Sequence, residues 1–167
     1  MIYNFKKTKS SGYALLEMLF YISLFAILSI VVINSLIVMM KSFKETRINS
    51  ELTQSGTIME KISREIRQAN SIYSINATLL GLNIKDENGQ NRRVQISLSG
   101  SDVQLSENDV LVGNLNTPNI SILSLNFTQI VTTKGTAIKI LLTVKSNHDS
   151  QNRTENFYDT VVLRGDY

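Results

Sequence analysis

Residues 18–40 carry no charged side chain. A helix of roughly 20 apolar residues, rising about 1.5 Å per residue, crosses a hydrocarbon core of about 30 Å. This run meets that requirement, and it constrains the rest of the chain: everything downstream must fold as a unit hung from one apolar helix. Glu17 stands at the edge of the run. An ionisable group inside an apolar segment costs free energy and reads by default as functional. Upstream lies a basic leader with Lys6, Lys7 and Lys9, ending at Gly12. A secretory signal peptide has a shorter apolar region followed by a small-residue cleavage site. Here Ile-Val-Met-Met-Lys closes the run without one. An ordinary signal anchor that happens to carry a glutamate is the competing reading.

The stretch formed by Lys6 to Ser11, Gly12, Tyr13 and Glu17 resembles the class III signal of type IV pilins and pseudopilins. That resemblance implies cleavage between Gly12 and Tyr13 by a prepilin peptidase. It also implies N-methylation of Tyr13, which stands where phenylalanine is commoner, and a role in assembly for Glu17. It implies as partners other pilin or pseudopilin subunits, an inner-membrane assembly platform and membrane lipid. The expected location is a single pass through the bacterial inner membrane with the C-terminal domain outside the cytoplasm, then a surface or periplasmic filament.

The net charge of +3 belongs to the leader. Without Lys6, Lys7 and Lys9 the 17 basic residues fall to 14, matching the 14 acidic ones. The mature chain therefore lacks the basic footprint of nucleic-acid binding. With no cysteine, disulfides, thiol nucleophiles and thiolate metal sites are excluded. Flanking charge leans toward a cytoplasmic N-terminus under the positive-inside rule, weakly, because Lys41, Lys44 and Arg47 lie on the other side.

Beyond the apolar run, Ile48, Leu52, Ser55, Met59, Ile62, Ile66, Ala69 and Tyr73 recur at alternating spacings of four and three, one face of a helix. Two occupants of that stripe are open, a sheet and a partner helix; the strands that follow favour the sheet. Glu60 and Arg64 are spaced for an i,i+4 pair. With no Pro between the two helical parts, one helix is expected over about residues 14–70, weakest at Gln54-Ser55-Gly56-Thr57 because Gly disfavours helix interiors by about 1 kcal/mol. Major pilins carry a proline in the membrane half. Here Asn34 stands near that place and is expected to bond its own backbone or a neighbouring helix.

From about residue 71 the period changes to two. Leu80, Leu82 and Ile84 alternate with polar or small residues, as do Val94, Ile96 and Leu98. Asn88-Gly89 between them marks a hairpin. Short strands are expected at 103–105 and 109–112, then around 120–127, 138–144 and 157–164, with a turn at Lys134-Gly135 and a polar loop over 147–155. The expected domains are a leader (1–12), the membrane and assembly half of the helix (13–40), its amphipathic half (41–70) and an antiparallel β-rich domain (71–167). The expected fold class is α+β, pilin-like: one long N-terminal helix packed on an antiparallel sheet of five to seven strands. The order is also similar to J-type minor pseudopilins and W-type minor pilins, through residues 60–70, the strand pair around Leu125 and Ile140, and residues 159–164.

No catalytic constellation emerges, so the chain is not expected to be an enzyme or to need a cofactor or metal. His148, the only histidine, reads as a solvated loop residue. Asp86, Glu87 and Asn88 read as a hairpin turn without the spaced oxygen ligands of a calcium loop. Arg164-Gly165-Asp166 and the sequons at Asn76, Asn119, Asn126 and Asn152 read as chance matches. The sequence thus points to a non-enzymatic structural subunit, a minor pilin or pseudopilin. The alternative is a bitopic membrane-anchored protein that binds a ligand outside the cytoplasm and never polymerises.

Overall fold

In the computed structural model, residues 11–85, 89–133 and 135–164 are described. The leader lysines, Asp86, Glu87, Asn88, Lys134, Gly165 and Asp166 lie outside them. The chain is α+β, with a long N-terminal helix that packs its second part on an antiparallel β domain. It divides into two compact units between Glu45 and Thr46.

Helix α1 spans Ser11–Gln54 and α2 spans Gly56–Gln68, separated by a single turn residue, Ser55. The weak point expected at 54–57 is therefore a real interruption. Ser55 supplies no side-chain cap to α2. Its hydroxyl instead donates back to the Glu51 carbonyl at 3.0 Å, the local competition that short hydroxyl side chains offer a helix. Gly56 faces the last strand: a Cβ there would meet Phe157 Cε1 at 3.4 Å, an ordinary contact.

Strand β1 (Ala69–Asn76) follows α2 without a loop, Ala69 switching to extended backbone at φ −72°, ψ 138°. The helix therefore ends at Gln68 rather than about residue 70. Tyr73 belongs to a strand, not to the helical stripe. The rest of the stripe holds: Ile48, Met59, Ile62, Ile66 and Ala69 are buried, and Ile58 joins them. Each buried Ile contributes about 1.5–3 kcal/mol of apolar transfer. The stripe is covered by the β domain, which decides against a partner helix.

The remaining strands are β2 (Leu79–Lys85), β3 (Asn91–Ser99), β4 (Asp102–Glu107), β5 (Val110–Asn114), β6 (Ile120–Thr132), β7 (Gly135–Ser146) and β8 (Thr154–Val162). Among the described residues eight strands replace the expected five to seven, and they form two antiparallel sheets, β1-β2-β3-β4-β5 and β6-β7-β8. The expected pair near Leu125 and Ile140 is made, with Leu125 opposite Leu142 and Phe127 opposite Ile140. Two bonds stitch the sheets: Phe127 N donates to the Ala77 carbonyl at 2.9 Å and Ile122 N to the Ser101 carbonyl at 3.0 Å.

Alternation puts Leu80, Leu82, Ile84, Val94, Ile96, Ile138, Ile140, Leu142 and Val144 into one core with α2. Buried Asn116 pins the loop between β5 and β6. Its Oδ1 accepts from Val103 N at 2.9 Å, and its Nδ2 donates to Asp102 Oδ1 and the Ile120 carbonyl. Long-range side-chain bonds tie the helices to the end of the chain. Ser63 donates to Asp159, 96 positions on, and Ser146 donates to Glu51, 95 positions back.

Candidate functional site: the apolar helix and its polar residues

Tyr13 and Glu17 are exposed on α1, Tyr13 at 84 %, and Gly12 lies in the same helix. Glu17 Oε1 accepts from Tyr21 Oη at 3.1 Å, one turn further along. The Tyr21 ring meets Phe20 edge-on, with centroids 6.2 Å apart. Spacing alone brings the phenol to the carboxylate, because residues four apart share a helix face. Glu17 and Tyr21 sit at that spacing in the sequence.

Two hydroxyls of the run are satisfied locally. Ser23 donates to the Phe20 carbonyl and Ser29 to the Phe25 carbonyl, each at 2.8 Å. A hydroxyl satisfied within its own helix can sit in an apolar medium. Asn34 is exposed beside Ser35, Val38 and Ser42. Leu15, Leu16, Phe20, Ile22, Phe25 and the aliphatic residues up to Met40 are likewise exposed. Such a surface is not stable against water. By length and composition this one helix can cross a membrane.

A second polar cluster lies in the folded unit. Glu51, on α1, is buried among Ser146 Oγ at 2.6 Å, Arg47 Nε at 3.0 Å and His148 Nδ1 at 3.3 Å. Burial alone would raise the Glu51 carboxyl. The bonds from Ser146, Arg47 and His148 together outweigh it and hold the group below its ordinary value of 4.5. His148 is therefore not a solvated loop side chain, because it closes a ring with Arg47 and Glu51. No local signal marks this, since Glu51 is 97 positions away. The same turn is braced by buried Asp149. Arg153, donating through Nε at 2.8 Å, with the backbone amides of Gln151 and Arg153, holds that carboxyl well below the usual range.

Arg92 bridges Glu65 of α2, at 2.8 Å, and Glu107 of β4. The expected Glu60–Arg64 pair is not made. Arg64 and Lys61 instead line a recess of about 270 Å³ together with Leu105, Val112 and Leu115. Among the described residues no three His, Asp or Glu side chains gather as metal ligands.

No protein-family model, curated protein or solved structure matches the chain.

Proposed function

We propose that the chain is a structural subunit, a minor pilin or pseudopilin, of a type IV pilus or type II secretion-like filament. In this reading a prepilin peptidase cuts between Gly12 and Tyr13. The subunit then waits in the inner membrane with its β domain outside the cytoplasm. It enters a surface or periplasmic filament through the apolar helix, handed over by an assembly platform. One observation carries the reading. Helix α1 presents a charge-free, exposed apolar run over residues 18–40 with Glu17 at its start. A filament built on helix packing needs such a surface. A bitopic ligand-binding protein has no use for Glu17 at that depth.

Mass spectrometry of the N-terminal peptide from membrane fractions tests this. The expected chain begins at Tyr13 and carries a methylated amine. Gly12→Val should leave a full-length, membrane-held precursor by blocking the cut. A parent chain that keeps its leader, or one that starts beyond Met40, overturns the reading.

A further inference from the structure

Arg47 Nη2 stands 3.0 Å from His148 Nε2, and a guanidinium nitrogen only donates. Nε2 therefore accepts and carries no proton. On the other side of the ring, Nδ1 lies 3.2 Å from Glu51 Oε1 and 3.3 Å from Oε2. A carboxylate only accepts, so the single ring proton sits on Nδ1. The geometry fixes a neutral imidazole in one tautomer, held between a cation and an anion that are themselves joined at 3.0 Å through Arg47 Nε and Glu51 Oε1.

We propose that His148 is a proton-driven latch that exchanges the partner of Glu51. Proton uptake at Nε2 turns an acceptor into a donor facing Arg47, and that bond must break. The Nδ1–H bond to Glu51 becomes a charge-assisted pair at the same step. The imidazolium and the guanidinium then repel each other across their 3.0 Å contact, and the more exposed of the two moves away. Arg47 has 57 % of its side chain exposed, against 36 % for His148. Ser146 keeps its bond to Oε2, and its Oγ also accepts from the His148 amide at 3.1 Å, so the turn stays docked. Arg47 and Glu51 of α1 face the ring, and Asp149 on its own turn is paired with Arg153 at 2.8 Å. Acidification thus tightens the 147–153 turn on α1 and frees one cation, Arg47, near the start of the folded unit. The inference does not depend on whether the chain polymerises.

His148 is the only histidine, so its imidazole nitrogen spectrum is unambiguous in the full chain, prepared without a histidine tag in detergent micelles. The neutral ring should carry its proton on Nδ1. Arg47→Ala should lose that preference and populate the Nε2–H form. Arg47→Lys, which still donates, should restore it. An Nε2–H tautomer in the parent, or a tautomer unmoved by Arg47→Ala, overturns the proposal. A second readout is the exchange of the Arg47 guanidinium protons with water. It should be slowed while His148 is neutral and speed up as His148 takes its proton. In His148→Gln, which accepts without titrating, that acceleration should vanish. Equal exchange across the titration of the parent, or acceleration that persists in His148→Gln, also overturns it.

Discussion

Tyr73 of β1 lays its ring across Gly81 of β2. A Cβ built on Gly81 would stand 2.5 Å from Tyr73 Cζ and 2.7 Å from Cε2. The ring is held on its other sides by the Arg93 guanidinium, 5.8 Å from its centroid, and by a long bond from its hydroxyl to Gln95. Gly81→Ala should therefore destabilise the domain by about 1–3 kcal/mol through overpacking. Tyr73→Ala should remove most of that penalty when combined with it. Urea midpoints of the two single variants and the double variant form the cycle. Additive losses would mean that the ring moves aside freely.

Ile62 and Ile66 are fully buried where α2 meets the sheets. Ile62→Asp or Ile66→Asp places a carboxylate there with no partner. The expected loss is several kcal/mol, comparable to the whole stability of an ordinary domain. Circular dichroism of the full chain in micelles should show the β signal lost. A variant that melts like the parent would mean that α2 is not packed on the sheets.

Acid should destabilise the folded unit through Glu51 and Asp149. Both carboxyls sit below their ordinary values of 4.5 and 3.8, so the unfolded chain binds protons that the folded one refuses. Their stabilisation is complete above those values and is lost as pH falls through the lower folded ones. Glu51→Gln should flatten the acid limb of stability against pH, leaving the share due to Asp149. Ser146→Ala should cost about 1.5–3 kcal/mol near neutral pH, because a buried carboxylate loses its shortest bond. Denaturant midpoints measured from about pH 7 to about pH 3 check both.

Glu17 should serve assembly rather than folding. After cleavage the Tyr13 amine would lie about 6 Å along the helix from Glu17, at about 1.5 Å per residue. Burying either charge alone costs several kcal/mol. Glu17 would then leave its bond to Tyr21 for that amine, on its own chain or a neighbour's. Glu17→Gln should keep leader cleavage and the melting of the β domain, while incorporation into sheared filaments falls by about tenfold or more, the equivalent of about 1.4 kcal/mol. Glu17→Lys should do worse. Normal incorporation of Glu17→Gln would leave Glu17 a tolerated bystander.

The local elements were legible wherever side-chain period and turn chemistry agreed. Leu80, Leu82 and Ile84, and Ile138 to Val144, alternate cleanly and are strands with those residues buried. The helix weakness at Gly56 was legible from propensity. Strand β1 was not, because Ala69 and Tyr73 extend the four-three spacing of the preceding helix by accident of sequence. Only packing against β2 decides between the two periods there. The division into two sheets has no local signal, since it depends on which edges meet. In the candidate site, the exposed apolar helix and the position of Glu17 are legible, and the bond from Tyr21 follows from its i,i+4 spacing. The Arg47–Glu51–His148 ring was illegible for a physical reason. Arg47 and Glu51 are one helical turn apart, but His148 lies 97 positions from Glu51, and its side chain taken singly looks like solvated surface.

That distance has a consequence for how the protein is made. Glu51 waits for Ser146, and Ser63 for Asp159, across 95 and 96 positions. A ribosome adding about 5–20 residues per second takes roughly 5–20 s to supply such partners. Throughout that interval the stripe from Ile48 to Ile66 is finished but still lacks the part of its cover that β7 and β8 supply. Until β7 and β8 arrive, the nascent chain offers a chaperone an apolar ribbon.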